Sequence, residues 1–347
     1  MNTTALPRPP RDAAVGRQLA DADRRPSAAD GDAADPDVSR RARLAALHGA
    51  TGVAPFAVAP GVEVVELAEG LALAGYARRG RWAITAGDVV APAAASADAL
   101  REYLHVLASR RLRPAFVAVA EPTLYRAAGL AIQPIADEAV VDLRSFSLAG
   151  APRSGVRHAV ASARRAGLAV VPYATWLDRG IAEVSQQWLS TKRGGEFGFT
   201  LSRHRDVPAQ LATGTTELWA VVDGDGVVQA WCTWRHYRGG AARVLDIMRR
   251  RPDAPNPAMD FLIATVLESY RDAGVRVASL ASVPRGHGGV AERVYPTRSL
   301  RAYKQKFAPR WEPRWLAVPA GWQEPFALAA VARAYCPEGM RRALRHN

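Results

Sequence analysis

Cysteine is nearly absent: of 347 residues only Cys232 and Cys336 are cysteines, and they form no CxxC pair. A disulfide scaffold and a cysteine-based zinc module are thereby excluded, and a reducing cytoplasm is the expected compartment. No uncharged apolar run reaches the roughly 18 residues that a membrane-spanning helix requires, because the alanine-rich stretches are broken at positions such as Asp88 and Pro92. Aromatic residues are missing until Phe56, and Met1 to about Arg40 consists largely of Ala, Asp, Arg and Pro. Such a segment buries too little apolar area to offset its ordering entropy, so residues 1–45 are expected to form a disordered tail. It lacks the apolar core of a secretion signal, and the aspartates between Asp12 and Asp37 argue against an acid-poor transit peptide. Acidic residues are in deficit, 33 against 46 basic ones, giving a formal charge of +13 that favours polyanionic partners. The sequence has no GxSxG elbow, no P-loop and no HExxH, and its seven histidines show no ligand spacing, so neither a hydrolase nor a metal site is expected. His287, in RGHGG, is the most catalysis-like of them.

What is present reads as globular, with 49% hydrophobic and 23% charged residues. Short β runs at 62–67, 71–77 and 82–85 precede an amphipathic helix at 96–109, whose Leu100, Tyr103, Leu104 and Leu107 share one face. A strand at 115–119, a helix at 122–128 and a strand pair around Ile132 and Val140 complete a first α/β unit. A helix with a basic face at 155–166, a strand at 168–171 and a helix from Thr175 toward Lys192 follow. The order then runs helix 207–212, strands 217–222, 227–234 and 243–248, helix 259–273, strand 275–280, helix 299–307, strand 314–318 and helix 323–334. Asp223-Gly224-Asp225-Gly226 marks a hairpin turn, and Arg341, Arg342 and Arg345 make the C-terminus basic. Three antiparallel strands, then helix, strand, helix and strand, is the order of a GNAT-type acyltransferase, and the first half reads as a degenerate copy. The expected fold is therefore α/β (α+β), a tandem GNAT-like arrangement of two mixed sheets flanked by helices, with units at 46–172 and 173–347.

An acyl-CoA-dependent GNAT needs a glycine-rich loop that offers backbone N–H groups to the pyrophosphate at a helix start. RAAGLA at 126–131, RRAGLA at 164–169 and RDAGVR at 271–276 resemble it, but each glycine ends a helix and precedes a strand, as a C-cap does. Where the loop belongs, after strand 243–248, the chain reads RRRPDAPNP at 249–257. That loop suits some other phosphate chain better than CoA.

Four stretches in this order, EAVVDLRSFSLAGAPRSGVRHAVASARRAG (138–167), WLSTKRGGEFGFTLSRH (188–204), VLDIMRRRPDAPNPAMDFLI (244–263) and LRAYKQKFAPRWEPRWLAV (300–318), resemble the catalytic region of aminoacyl-phosphatidylglycerol synthases, the multiple peptide resistance factor family. The resemblance spans about Val62 to Val318. It implies a tandem GNAT fold and transfer of an amino acid from aminoacyl-tRNA, a co-substrate, with no cofactor. In the membrane-bound members the acceptor is the hydroxyl of phosphatidylglycerol, whereas soluble relatives acylate small amines or hydroxyls. The multi-span region that precedes this one in the lipid-modifying members is absent, the stretch from Val283 to Thr297 looks shorter, and LSRH stands at 201–204 where the family usually has LGRF, so the acceptor is open; the expected one is a small amine or hydroxyl in natural-product biosynthesis. Lipid aminoacylation is the alternative, and an acyl-CoA-dependent GNAT or a mere RNA-binding surface is more remote.

Aminoacyl transfer needs an acid for the α-ammonium, cations for the phosphates of the tRNA end and a proton acceptor. Asp246 sits between Leu245 and Ile247 in an apolar strand, where a carboxylate is costly unless partnered. It is either a structural ion pair, with Arg249 for example, or a substrate contact, and the resemblance favours the latter. In a regular strand Asp246 and Arg249 face opposite ways, so joint action requires a frayed end or a bulge between them. On helix 299–307, Lys304 and Lys306 flank the stripe Leu300, Tyr303 and Phe307 on opposite sides. By pattern alone they are either snorkelling or functional; the resemblance makes them functional, with Lys304 and Glu312 beside Asp246 as catalytic candidates. Arg249, Lys306, Arg314, Lys192 and Glu196 are substrate-binding candidates, and Arg250, Arg251, Arg298 and Arg301 are tRNA-binding candidates. For Lys192, Glu196, Glu312 and Arg314, plain salt bridges fit the pattern equally well.

Overall fold

A computed structural model describes residues 35–191, 198–285, 297–321 and 323–335. Helix α1 (Pro36–His48) starts the described chain and is followed by strands β1 (Glu63–Leu67), β2 (Ala72–Arg79) and β3 (Trp82–Ala86). Helix α2 (Ser96–Ser109), strand β4 (Arg113–Val119), helix α3 (Pro122–Ala127) and the long strand β5 (Leu130–Asp142) complete the first half. The second half runs α4 (Ser154–Arg165), β6 (Ala169–Pro172), α5 (Asp178–Ser190), α6 (Val207–Ala212), β7 (Thr216–Val222), β8 (Val228–Tyr237) and β9 (Ala242–Arg250). It ends with α7 (Ala258–Asp272), β10 (Val277–Pro284), α8 (Thr297–Gln305), β11 (Arg310–Pro319) and α9 (Glu324–Tyr335).

Among the described residues the two expected sheets are joined into one of eleven strands, ordered β1-β2-β3-β4-β11-β5-β10-β9-β8-β7-β6. Each half shows the GNAT pattern of antiparallel strands followed by one parallel step, at β3–β4 and at β9–β10. The halves are locked by an exchange: β11 lies between β4 and β5, and β5 lies between β11 and β10. β6, at the end of the expected first unit, pairs with β7 of the second.

β5 is one strand where the sequence suggests a pair, around Ile132 and Val140. Pro134 falls in the stretch beyond the end of the β10 pairing, where β11 is the only neighbour, so its missing N–H removes no bond from a doubly paired region. α1 corrects the expectation of a disordered tail for residues 36–45. Asp35 caps its first turn, and Ser39, Ala42 and Ala45 are buried along one face. Small residues let this helix lie close to its neighbours, so it needs no aromatic side chain. Arg238 and Gly239 donate backbone bonds to Gly49 and Ala46, and Arg40 and Arg41 reach Glu66 at 2.5 and 2.8 Å.

One sheet face carries α2, α3, α4 and α7, with Tyr103, Phe116 and Tyr125 in the first half and Trp234, Phe261 and Leu262 in the second. The other face carries α5, α6, α9 and the segment that follows α1. Gly129, Gly167 and Gly274 each end a helix at positive φ, which is the C-cap geometry expected for them.

Candidate active site

The parallel ladder between β9 and β10 holds only from Ala242–Val277 to Val244–Ser279, after which the strands part. β10 then shifts register between Ser279 and Ser282, with Ala281 at φ 65°, a left-handed conformation that is strained for a non-glycine residue. Such a parting between two parallel strands opens a cleft between their ends. Candidate groups stand on both of its arms.

On the β10 arm, Lys304 of α8 sends its Nζ to the bulge, donating to the carbonyls of Ala281 at 3.0 Å and Ser282 at 3.1 Å. The residue is only 4% exposed, and burial pushes its pKa down to about 7 against the opposing pull of Glu138. A neutral amine has two N–H donors and one lone pair. The two carbonyls satisfy both donors, which leaves the lone pair as a proton acceptor.

On the β9 arm, Asp246 is buried, and its Oδ1 accepts from the backbone N–H of Ser202 at 3.0 Å. Its Oδ2 has no hydrogen-bond partner among the described residues. Burial raises its carboxyl above the ordinary aspartate range, opposed by the charge of Arg235 on the neighbouring strand. Arg235 is 4% exposed, its guanidinium lies 5.0 Å above the Phe56 ring, and its Nε and Nη1 have no hydrogen-bond partner among the described residues. The cation facing Asp246 is therefore Arg235 and not Arg249, the partner considered from sequence. Two opposite charges thus lie buried near each other with donor and acceptor atoms uncommitted.

Asp246 and Arg249 share a face because β9 carries a bulge. Cys232 pairs with Met248 and Trp234 with Leu245, so Asp246 and Ile247 together oppose Thr233, whose Oγ1 accepts from the Ile247 N–H at 3.1 Å. The extra residue reverses the alternation beyond it. Arg249 accordingly lies on the α5 side, 4.9 Å from the Trp188 ring and 5.6 Å from that of Trp231.

Between the arms and the sheet centre, Glu138 of β5 accepts from Arg314 Nε at 2.6 Å and from Ser279 Oγ at 2.5 Å. Arg314 Nη2 also donates to Glu312 at 2.9 Å, and Glu312 pairs in addition with Arg310. Gly52 closes over this cluster: a Cβ there would come within 2.5 Å of Glu138 Oε1 and 2.9 Å of Val244 Cγ2. Only glycine fits so close an approach.

The four sequence stretches therefore converge. Trp188 meets Arg249, Ser202 meets Asp246, and Glu138 meets Arg314. Other candidates lie apart from the cleft. Lys306 pairs with Asp260 at 2.9 Å on the surface, so of the two lysines only Lys304 reaches the bulge. Arg301 pairs with Asp137 at 3.1 Å and stacks on Trp311 at 4.0 Å, and Arg251 lies 3.5 Å from Asp253. Arg250 is half-buried and Arg298 is exposed on α8. Lys192, Glu196, His287 and the arginines 341, 342 and 345 lie outside the described residues. Glu138, Arg235, Ser279 and Gly52 were missed from sequence. Arg235 alternates with Trp231, Thr233 and Tyr237 along β8, so the test that singles out Asp246, a charge at an inward strand position, applies to it equally.

The sequence profile described as phosphatidylglycerol lysyltransferase, C-terminal, matches residues 41–318. A lysylphosphatidylglycerol biosynthesis bifunctional protein, LysX, of Mycobacterium marinum is 30% identical over 217 residues, which cover 55% of this chain and 19% of that protein. A phosphatidylglycerol lysyltransferase of Staphylococcus haemolyticus is 27% identical over 214 residues, covering 56% of this chain and 25% of that protein. The match thus spans about a fifth to a quarter of the length of these relatives. Among solved structures, L-PGS from Bacillus licheniformis superposes with a TM-score of 0.74 at 21% identity, covering 88% of this chain and 98% of that one. A C-terminal DUF2156 domain from Agrobacterium fabrum gives 0.75 at 23% identity, covering 86% and 97%. With the profile matching residues 41–318, most of this chain, the chain belongs to the family of phosphatidylglycerol lysyltransferase C-terminal regions.

Proposed function

We propose that this protein transfers an aminoacyl group from aminoacyl-tRNA to the hydroxyl of a phosphatidylglycerol-type lipid, with the cleft between β9 and β10 as the transfer site. The family membership supports a lipid acceptor over the small natural-product acceptor favoured by the sequence alone. The observation that carries the chemistry is Lys304, a buried amine near neutrality whose two donors are already taken by Ala281 and Ser282. A base poised near the working pH is what attack by a hydroxyl requires.

The aminoacyl ester is already activated, so no covalent enzyme intermediate is needed. In this reading Asp246 receives the α-ammonium at its Oδ2, which has no hydrogen-bond partner among the described residues. The acceptor oxygen attacks the ester carbonyl carbon while Lys304 takes its proton, and Arg235 donates to the oxygen on which negative charge develops. Collapse of the tetrahedral species breaks the bond to the ribose oxygen, which leaves with the proton returned by Lys304. Glu138, paired with Arg314, holds a compensating negative charge beside the transiently protonated lysine. Arg249, framed by two tryptophans, and Arg250, Arg251 and Arg298 are assigned to the phosphates and terminal bases of the tRNA.

The test is to incubate the protein with a panel of radiolabelled aminoacyl-tRNAs, phosphatidylglycerol vesicles and a soluble metabolite extract. Label extracted with lipid supports this reading. Label in the aqueous fraction as a new amide or ester restores the small-acceptor alternative.

A further inference from the structure

On the sheet face that carries Asp246, but at the β2–β3 turn of the first half, a cavity of about 450 Å³ is lined by Arg79, Arg81, Trp82, Arg113, Phe326 and Arg333. Among the described residues no carboxylate contributes to its lining. Arg79 spans the gap to α9, its Nε donating to the Arg333 carbonyl in the last turn at 3.3 Å, and Arg113 lies 5.9 Å from the Trp82 ring. Arg81 and Arg333 are exposed. α9 itself buries Ala327, Ala330 and Ala334 against the sheet and turns Pro325, Phe326, Leu328 and Ala329 outward. Phe326 is 57% and Leu328 42% exposed.

We propose that this cavity and the outward face of α9 form a docking surface for an anionic phospholipid bilayer, with the arginines binding lipid phosphodiesters and Phe326 and Leu328 entering the headgroup boundary. A short helix with an apolar outer face beside a cationic cluster has the composition of an interfacial element. Four cations near an anionic surface strengthen partitioning by about a thousandfold. Beside the arginines, Pro325, Phe326, Leu328 and Ala329 turn a continuous apolar face outward, which suits the headgroup boundary of a bilayer. The far end of α9 reaches the candidate site: Gly198 N–H donates to the Tyr335 carbonyl at 3.1 Å and Thr200 Oγ1 to the Tyr335 hydroxyl at 3.1 Å, two residues before the Ser202 that holds Asp246. Docking through α9 would therefore turn the cleft's face toward the bilayer. This inference deepens the lipid reading, but it is read by binding alone, so the two fail separately.

The experiment is flotation of the protein with phosphatidylcholine vesicles, with and without phosphatidylglycerol. Binding should require phosphatidylglycerol, fall at least tenfold in the double variant Arg81→Glu and Arg333→Glu, and fall several-fold in Phe326→Ser, with melting temperatures unchanged. Transfer to a soluble short-chain phosphatidylglycerol should be the same in all three proteins. Equal binding to both vesicle types would overturn the proposal. So would vesicle binding that survives charge reversal while tRNA affinity drops, an outcome that makes the patch an RNA surface.

Discussion

Replacing Lys304 by methionine separates an amine held near neutrality from a lysine that merely fills space. Burial lowers its pKa from the ordinary 10.5 to about 7 in the folded protein. Between those two values the unfolded chain binds a proton that the folded chain does not, so stability must rise with pH across that window and is lowest below it. The full slope of one proton is about 1.4 kcal/mol per pH unit, and integrating from pH 7 to pH 9 gives a gain of about 2 kcal/mol. Chemical denaturation of wild type and Lys304→Met at both pH values reads this directly. The wild type should gain about 2 kcal/mol relative to the variant. The variant pays for the loss of two bonds to Ala281 and Ser282 equally at both pH values, so that loss cancels in the comparison. Single-turnover transfer by the wild type should rise to a plateau above about pH 7, and the variant should be slower by about 10²- to 10⁴-fold. Parallel stability curves for the two proteins would refute a neutral Lys304, and near-normal transfer by the variant would remove it as the base.

Arg235→Gln should reduce transfer by about 10²- to 10³-fold, the loss expected for one donor to a developing oxyanion, with tRNA affinity within a few-fold; unchanged transfer would leave Arg235 a structural role beside Asp246 and Phe56. Gly52→Ala should destabilise the protein by about 1–3 kcal/mol in denaturant titration, because the added methyl collides with Glu138 and Val244. The affinity for tRNA should fall with salt on a log–log slope of roughly −2 to −3, for three phosphate contacts by Arg250, Arg251 and Arg298; a slope near zero would remove the nucleic-acid donor.

Much of the fold is legible because helix and strand periods are clear in this chain. Helix 96–109 has its apolar residues at helical spacing, and α2 occupies those residues. Two features were hidden. α1 is stabilised by close approach of alanines, a contact that no residue-level hydrophobicity reveals. The exchange of β5 and β11 depends on pairings between strands far apart in sequence, and local periodicity carries no information about partners. At the site, Asp246 stood out as a charge in an apolar strand. The bulge that brings Arg249 to its face did not, because Thr233 receives the extra residue through a side-chain bond that alternation cannot register. Glu138 was overlooked because the sequence places it just before the strand around Val140, where an acid looks solvated, whereas it lies inside β5; its partner Arg314 lies 176 positions away.

The central claim is that the cleft beside Asp246 moves an aminoacyl group from tRNA to lipid. It is tested most directly by single-turnover transfer from labelled aminoacyl-tRNA to phosphatidylglycerol vesicles, with wild type and Asp246→Asn measured alongside tRNA affinity and melting temperature. The account predicts lipid-bound label with the wild type, at least about a hundredfold less with Asp246→Asn, and tRNA affinity within a few-fold. A well-folded Asp246→Asn protein that labels lipid at the wild-type rate, or a wild type that leaves the label on tRNA, would contradict it.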